Sequence, residues 1–336
     1  MPPGQQATNT SPTAYSVGKD SAQPRPQPSS GMIVYWPTKP IATARGIVRI
    51  AEMRVVAHPP AGVVAPVGDD GRRDRHGAGQ HPADVRVEHD VTLEWPDPGP
   101  VDWVLHFASP ASPQDYLEHP IHTMKVGAIG TMNALGLAKA KGASFFLSST
   151  SEVYGKSTDL PFREDGDLVM GSTSRGRWSY ACSKAIDEFL AIAYWRERGL
   201  PTVIGRCFNT VGPRQSDRYG MVIPRFVTQA LAGEPITVYG DGSQRRCFGH
   251  VSDVVRAIAK LIESDAAVGE VFNIGSKEEV SILDLARKVR EMVGSDSEIV
   301  HVPFEEAYDL DFEDMPRRVP CTDKIQRTIG WQPEAD

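Results

Sequence analysis

The chain has 336 residues, 36 basic against 43 acidic side chains, and 40% hydrophobic content. That composition is globular, long enough for one large domain or two tight ones, and needs no disulfide or metal staple. The net charge of −7 argues against a nucleic-acid-binding protein. No run of 18 apolar residues suggests a membrane span, and MPPGQQATNT lacks the regions of a secretory signal. Cys182, Cys207, Cys247 and Cys321 have no metal-type spacing, so the expectation is a cytoplasmic protein with reduced thiols and no metal site.

The average conceals two differently composed pieces. Residues 1–86 hold 12 of the 27 prolines and carry a charge of +4, which leaves −11 for the remainder. Residues 1–31, rich in Pro, Ser, Gln and Thr, read as a disordered tail. Residues 32–86 form an anomalous segment. MIVYW and IVRIAEMRVV suit short strands or the start of a helix, and Pro37, Pro40, Pro59, Pro60 and Pro66 interrupt any long element.

From about Val87 the pattern becomes regular. VDWVLHFAS predicts a buried strand, residues 121–141 a helix, SFFLSST a second strand, residues 178–198 an amphipathic helix stopped by Gly199, and TVIGRCFN a third strand. RFVTQALAG, VSDVVRAIAKLIES and SILDLARKVREMVG follow as helices, with short strands such as ITVYG and EVFNI between them. Strands alternating with helices predict βαβ units and an α/β fold with a parallel sheet.

Two groups of residues carry chemistry. In Tyr180-Ala-Cys-Ser-Lys184 a spacing of four puts phenol and ammonium on one helix face. A neighbouring ammonium favours phenolate, so the tyrosine is expected to have a lowered pKa and to serve as a general base. Alone, that pair is common by chance. The second group, SSTSEVYG at Ser148–Gly155, puts hydroxyls and a carboxylate at the end of an apolar strand, where open α/β sheets place ligands. Its other reading is a polar turn capping the next element.

Taken together, the strand ending in Ser/Thr and the later Tyr-x-x-x-Lys resemble the extended short-chain dehydrogenase/reductase family. More narrowly, they resemble its NAD-dependent nucleotide-sugar epimerases, dehydratases and decarboxylases. Further matches are HDV (89–91), HFASPAS (106–112), RCFNTVGPR (206–214), PRFVTQALAGEPITVYGDGSQRRCF from residue 224, HVSDVVRA (250–257), EVFNIGS (270–276) and RRVP (317–320). The resemblance spans about Val87 to Pro333 and implies a Rossmann-like doubly wound sheet with a smaller substrate-binding portion. Residues 87–210 would be the NAD-binding portion and 211–336 mainly the nucleotide-sugar portion.

Residue by residue, the resemblance implies that Tyr180 is the catalytic base and that Lys184, its partner, also holds the nicotinamide ribose. Thr150 would hydrogen-bond the sugar 4-hydroxyl, whose oxidation gives a 4-keto intermediate. Asp90 and Val91 would lie beside the adenine, with Ala108 and Ser109 in a loop next to the cofactor. Asn209 would contact substrate, and Arg246 and Arg318 would lie near the substrate diphosphate and sugar, as planar guanidinium suits phosphate. Simpler readings are a turn residue for Asn209 and surface charges for the two arginines. His106, His250 and Cys247 are expected to be structural.

The residues after Thr150 discriminate among reactions. Dehydratases of this family generally have Asp-Glu there, and here Ser151 replaces the Asp. The string Thr-Ser-Glu-Val-Tyr-Gly resembles UDP-glucuronate decarboxylases, in which Ser151, Glu152 and Arg318 would lie near the hexuronate carboxylate. An anionic Glu152 would favour loss of neutral carbon dioxide. The expected activity is therefore UDP-glucuronate decarboxylation, with UDP-sugar 4-epimerisation as the alternative. The resemblance also implies a homodimer paired through the Tyr180 helix and the helix before it.

One departure stands out. The family begins with a strand and G-x-x-G-x-x-G, whose glycines let the backbone reach the cofactor pyrophosphate. No such motif precedes Val87; GDDGRRDRHGAG has the wrong spacing. Either residues 1–86 are not the ancestral segment, through a frameshift or misplaced start, or a divergent segment binds the phosphates differently. The first case adds a third functional reading, an inactive relative that holds nucleotide sugar but little NAD.

Overall fold

The computed structural model describes residues 31–37, 41–43, 46–48, 51–56 and 85–335, without 214, 216–220, 308–312 and 314. The expected disordered tail and the GDDGRRDRHGAG stretch fall outside the described residues, Gly31 excepted.

The chain enters through strands β1 (Gly31–Pro37), β2 (Ile41–Thr43), β3 (Gly46–Val48), β4 (Ala51–Val56), β5 (Val85–His89) and β6 (Val101–His106). MIVYW, Ile47–Val48 and AEMRVV (51–56) thus resolve as strands. β1 lies parallel to β6, with Tyr35 opposite His106. β4 runs antiparallel to β1, Pro37 opposite Ala51, and β5 antiparallel to β4. The β2–β3 hairpin interrupts the passage from β1 to β4. Two reversals return β5 to the direction of β6, so Asp90 and Val91 emerge at the same end of the sheet as the C-terminus of β6.

Short helices α1 (Pro113–Glu118) and α2 (Pro120–Lys125) lead through a wide π turn, Val126–Gly130, into α3 (Thr131–Lys141). The helix expected over 121–141 is therefore one helical run with a widened turn in it. Gly127 explains why that turn packs so closely. A Cβ there would stand 2.8 Å from the Ser183 Cβ.

Strand β7 (Ser144–Thr150) follows, then α4 (Trp178–Arg198) and β8 (Thr202–Cys207). β6, β7 and β8 are buried almost throughout, which explains their continuous rather than alternating apolar pattern. Helix α4 buries Trp178, Ala181, Lys184, Ala185, Glu188 and Ala191, a stripe at three- and four-residue spacing. It stops at Gly199, whose φ of 66° is the left-handed cap, and Arg196 and Arg198 face its negative end.

Beyond β8 the chain forms β9 (Thr210–Val211), α5 (Val222–Ala232), β10 (Ile236–Tyr239), β11 (Arg245–Cys247), β12 (Gly249–His250), α6 (Val251–Ile262) and β13 (Glu270–Ile274). It ends with β14 (Glu279–Ser281), α7 (Ile282–Val293), β15 (Ile299–Val302), α8 (Phe304–Ala307), β16 (Arg317–Arg318) and α9 (Asp323–Ile329). The main sheet has seven strands in the order β13-β8-β7-β6-β1-β4-β5, parallel from β13 to β1.

Apolar side chains cover both faces of this sheet. On one, Val104, Phe145, Leu147 and Ile204 pack on Leu135, Ala138 and Ala191 of the helices. On the other, Phe146, Val203 and Phe272 pack on Val254, Ile258 and Leu261 of α6, with Ile325 and Trp331. This is the expected doubly wound α/β architecture. A separate cluster joins Phe226 and Ala230 of α5, Ile236 and Val238 of β10, and Leu285, Ala286 and Val289 of α7. Residues 211–336 are thus divided between two bodies of side chains, since α6 and β13 return to the main sheet. Among the described residues no helix is long and apolar enough to cross a membrane.

Candidate active site

Thr150 ends β7, and its Oγ1 accepts a hydrogen bond from the Glu152 amide at 3.3 Å, which folds Ser151–Tyr154 into one tight helical turn. The turn leaves through Gly155 at φ 59°, where a Cβ would stand 2.2 Å from the Val169 carbonyl oxygen. Gly155→Ala is expected to cost about 2–3 kcal/mol from backbone strain and overpacking. Urea denaturation measures this, and an unchanged midpoint would show that the Gly155–Val169 approach is not held in solution.

The turn buries Ser151 and Glu152 at the sheet's C-terminal end. The first turn of α4 delivers Tyr180 there. Its ring stacks on Tyr116 of α1, centroids 5.5 Å apart and planes within 1°. Burial pushes the Tyr180 phenol well above its ordinary pKa, the nearby Glu152 carboxylate adds to that, and a Thr150 hydrogen bond opposes it. The expectation of a lowered phenol pKa is therefore corrected for the chain by itself. The Lys184 ammonium turns to Asp187, Nζ to Oδ2 3.3 Å, rather than dominating the phenol.

Glu152 is the centre of a charged cluster. Arg177 Nη1 donates to Glu152 Oε2 at 2.5 Å and to the Tyr116 hydroxyl at 2.7 Å. Arg318 Nη1 donates to Glu152 Oε1 at 3.3 Å. Burial alone would raise the Glu152 pKa, but Arg177, Arg318 and Arg246 together hold it below its usual range. Arg318 reaches the site because β16 lies parallel to β11, with Arg246 directly opposite Arg318.

The remaining predicted residues are placed as follows. The Asn209 amide donates to the Cys247 carbonyl at 2.9 Å, tying it to the strand that carries Arg246. Asp90 closes a local turn, accepting from the Thr92 amide and hydroxyl at 2.9 Å. Val91 and Ala108 are buried at the ends of β5 and β6. The Ser109 hydroxyl and the Lys184 ammonium are buried without a hydrogen-bond partner. Thr150, Glu152 and Tyr180 thus come together with Arg318. Asp90, Val91, Ala108 and Ser109 line the strand ends toward the other edge.

Sequence reading did not single out Arg177, Tyr116 or Asp187. Arg177 stands three residues before Tyr180, one helical turn away, so that spacing was the available signal. It also missed the brace behind β7. There Glu188 accepts from Arg206 Nη2 at 2.7 Å and from Ser149 Oγ at 2.5 Å. His106 bonds Thr131 Oγ1 through Nε2 at 3.0 Å. No group of His, Cys, Asp and Glu suited to a metal ion occurs among the described residues.

A parallel doubly wound sheet with a Tyr-x-x-x-Lys helix beside the end of a central strand defines a short-chain dehydrogenase-type enzyme of the extended class. Residues 99–336 match the GDP-mannose 4,6 dehydratase family model, and the chain belongs to that family of nucleotide-sugar enzymes. It is 42% identical over 233 residues to the UDP-N-acetyl-alpha-D-glucosaminuronate decarboxylase of Bacillus cytotoxicus, covering 69% of this chain and 72% of that protein. It is 41% identical to UDP-glucuronic acid decarboxylase 1 of Xenopus tropicalis, over 69% of this chain and 53% of the other. The chain thus spans only about half of that longer relative. Among solved structures, dTDP-glucose 4,6-dehydratase of Streptomyces venezuelae, with NAD bound, superposes with a TM-score of 0.63 at 29% identity, over 70% of this chain and 69% of that one. UDP-glucose 4-epimerase of Thermotoga maritima, with UDP-glucose, gives 0.63 at 28%, over 70% and 73%.

Proposed function

We propose that the chain uses NAD to decarboxylate a UDP-hexuronate, most simply UDP-glucuronate, through a 4-keto sugar. The observation that carries this reading is the guanidinium cluster of Arg177 and Arg318 around buried Glu152, one residue past Ser151 and close to Tyr180. An anionic substituent at the sugar C5 calls for such charge; the neutral hydroxymethyl group handled by a 4-epimerase does not. The named decarboxylase relatives support it.

The residues fit the nicotinamide-ribose end of NAD. The buried Lys184 ammonium, met by Asp187 alone, and the Ser109 hydroxyl, buried without a hydrogen-bond partner, suit a hydroxylated ligand at the sheet's C-terminal end. When bound, NAD supplies the hydride acceptor. Tyr180 takes the proton of the sugar 4-hydroxyl as the phenolate, the form that burial and Glu152 disfavour and that nearby positive charge favours, and Thr150 orients that hydroxyl. Arg318, with Ser151, positions the hexuronate carboxylate. Glu152, already paired with two arginines, weakens their grip on it and repels it, so departure as neutral carbon dioxide is favoured. Asn209 and Arg246 lie on the nucleotide side, where a guanidinium fork meets diphosphate oxygens.

The pyrophosphate end has a different character. β1 and β4 are antiparallel neighbours, unlike the parallel pair joined by a helical crossover in the family's first βαβ unit. This observation supports the reading of an inactive relative. Incubating the purified chain with NAD and UDP-glucuronate separates the cases: carbon dioxide with UDP-pentose or its 4-keto form is the expected result. UDP-galacturonate alone would assign an epimerase, and absence of bound NAD and of turnover would assign the inactive relative.

For assembly we favour a homodimer. Ile121, Met132 and Phe189 are large, apolar and exposed on the helical run and on α4, which pack side by side. A second copy presenting the same stripe would bury them as a four-helix bundle.

A further inference from the structure

Asp187 is a buried carboxylate beside the proposed chemistry for which that chemistry has no use. It follows Lys184 by three residues on α4, so the two side chains share a face. Both are buried completely or nearly so. Nζ and Oδ2 are 3.3 Å apart, and the Thr131 hydroxyl is the other polar group on the carboxylate. The π turn seals the space, with Gly127 against Ser183 and Asp187. Across it stands Thr131, which also holds His106.

Other partners for Lys184 are accounted for. Burial, and then the Lys184 charge, lower the His106 pKa to about 3, so it is neutral. Glu188 is engaged by Arg206 and Ser149. Asp187 is the carboxylate that meets the ammonium. Its presence is costly: burial pushes its carboxyl pKa up, against the pull of Lys184. Apolar residues often replace a buried ion pair with no loss of stability. The charge therefore points to a role in placing Lys184 rather than in holding the fold.

We propose that Asp187 is the positioning residue of Lys184, fixing the ammonium from behind so that it faces the ribose of the dinucleotide. Asp187 itself touches neither cofactor nor substrate. The inference rests on the reading of Lys184 as the ribose-binding lysine.

Asp187→Asn in the full chain keeps the shape and removes the charge. NAD and, separately, UDP are titrated by calorimetry. NAD affinity is expected to fall about tenfold and kcat for UDP-glucuronate about 100-fold, as expected when a reacting group is misplaced, with KM for UDP-glucuronate little changed. UDP affinity should stay within about twofold, which a general loss of structure would not allow. Asp187→Glu should recover part of the NAD binding. Unchanged NAD affinity in Asp187→Asn would overturn the proposal.

The wild-type chain gives a second measurement that needs no variant. Asp187 faces Lys184, Glu188 and Tyr180 on α4 and Thr131 on α3. Burial raises its carboxyl pKa, so NAD affinity should weaken as pH falls through that raised value. Asp187→Asn should flatten that step, and a flat wild-type profile would also overturn the proposal. A wild-type chain that binds UDP but not NAD overturns both this inference and the cofactor reading. A variant that binds NAD as well as wild type overturns this inference alone.

Discussion

Tyr180→Phe is expected to lower kcat for UDP-glucuronate about 1,000-fold, within the range for loss of a general base, at a stability cost of only about 1 kcal/mol. The two consequences separate because ring and hydroxyl do different things. The ring is buried and stacked on Tyr116, and phenylalanine keeps that stack. The hydroxyl bonds Thr150, a contact worth about 1 kcal/mol. Turnover and the urea midpoint, measured together, check this. Retained turnover would remove Tyr180 from the role of base. Glu152 enters through the phenol pKa, which its charge raises. Glu152→Gln should therefore let the phenol ionise at lower pH, moving the Tyr180-dependent limb of the rate profile downward.

The largest stability effect is expected at Arg177. Arg177→Met should cost about 3–5 kcal/mol, because it leaves a buried carboxylate without its nearest partner. Glu152 would lose a 2.5 Å hydrogen bond and the Tyr116 hydroxyl its 2.7 Å donor, leaving Arg318 alone at 3.3 Å. Arg177→Lys keeps the charge but not the fork, and should recover only part. The pH dependence has a definite sign. Glu152's pKa is held below its ordinary value, so the stability it contributes is present above about pH 4.3 and is lost as pH falls through the lowered value. Arg177→Met should flatten that acid-side loss. Urea midpoints at several pH values test both statements, and equal midpoints for variant and wild type would contradict the cluster.

Much of the candidate site was legible because its signals are local. A buried strand ending in Thr150, and a tyrosine and lysine four residues apart, can be read from spacing alone. The α4 boundaries followed from a stripe of small and apolar residues and a terminal glycine. Arg318 was legible only through resemblance, since parallel pairing of two short strands brings it to Glu152 from 166 positions away. Arg177, Tyr116 and Asp187 were not legible. Their importance lies in what faces them, and burial of a single arginine or aspartate leaves no periodic mark. The phenol pKa was misjudged for the same reason: spacing put Lys184 on the right face, but only the fold shows that Asp187 engages it and that burial dominates. The N-terminal strands were ambiguous, since short apolar runs suit strand and helix equally.

The antiparallel run of β1, β4 and β5 has a consequence separate from ligand binding. β6 has β7 on one side only, and without β1 the other side of Val101–His106 would offer water a row of unpaired amide and carbonyl groups. Such a row templates pairing with another chain. By laying β1 along it and ending the sheet at β5, the segment moves the open border three strands away from β6. Whatever it does for phosphates, it keeps neighbouring molecules from zipping onto the strand beside the one that ends in Thr150.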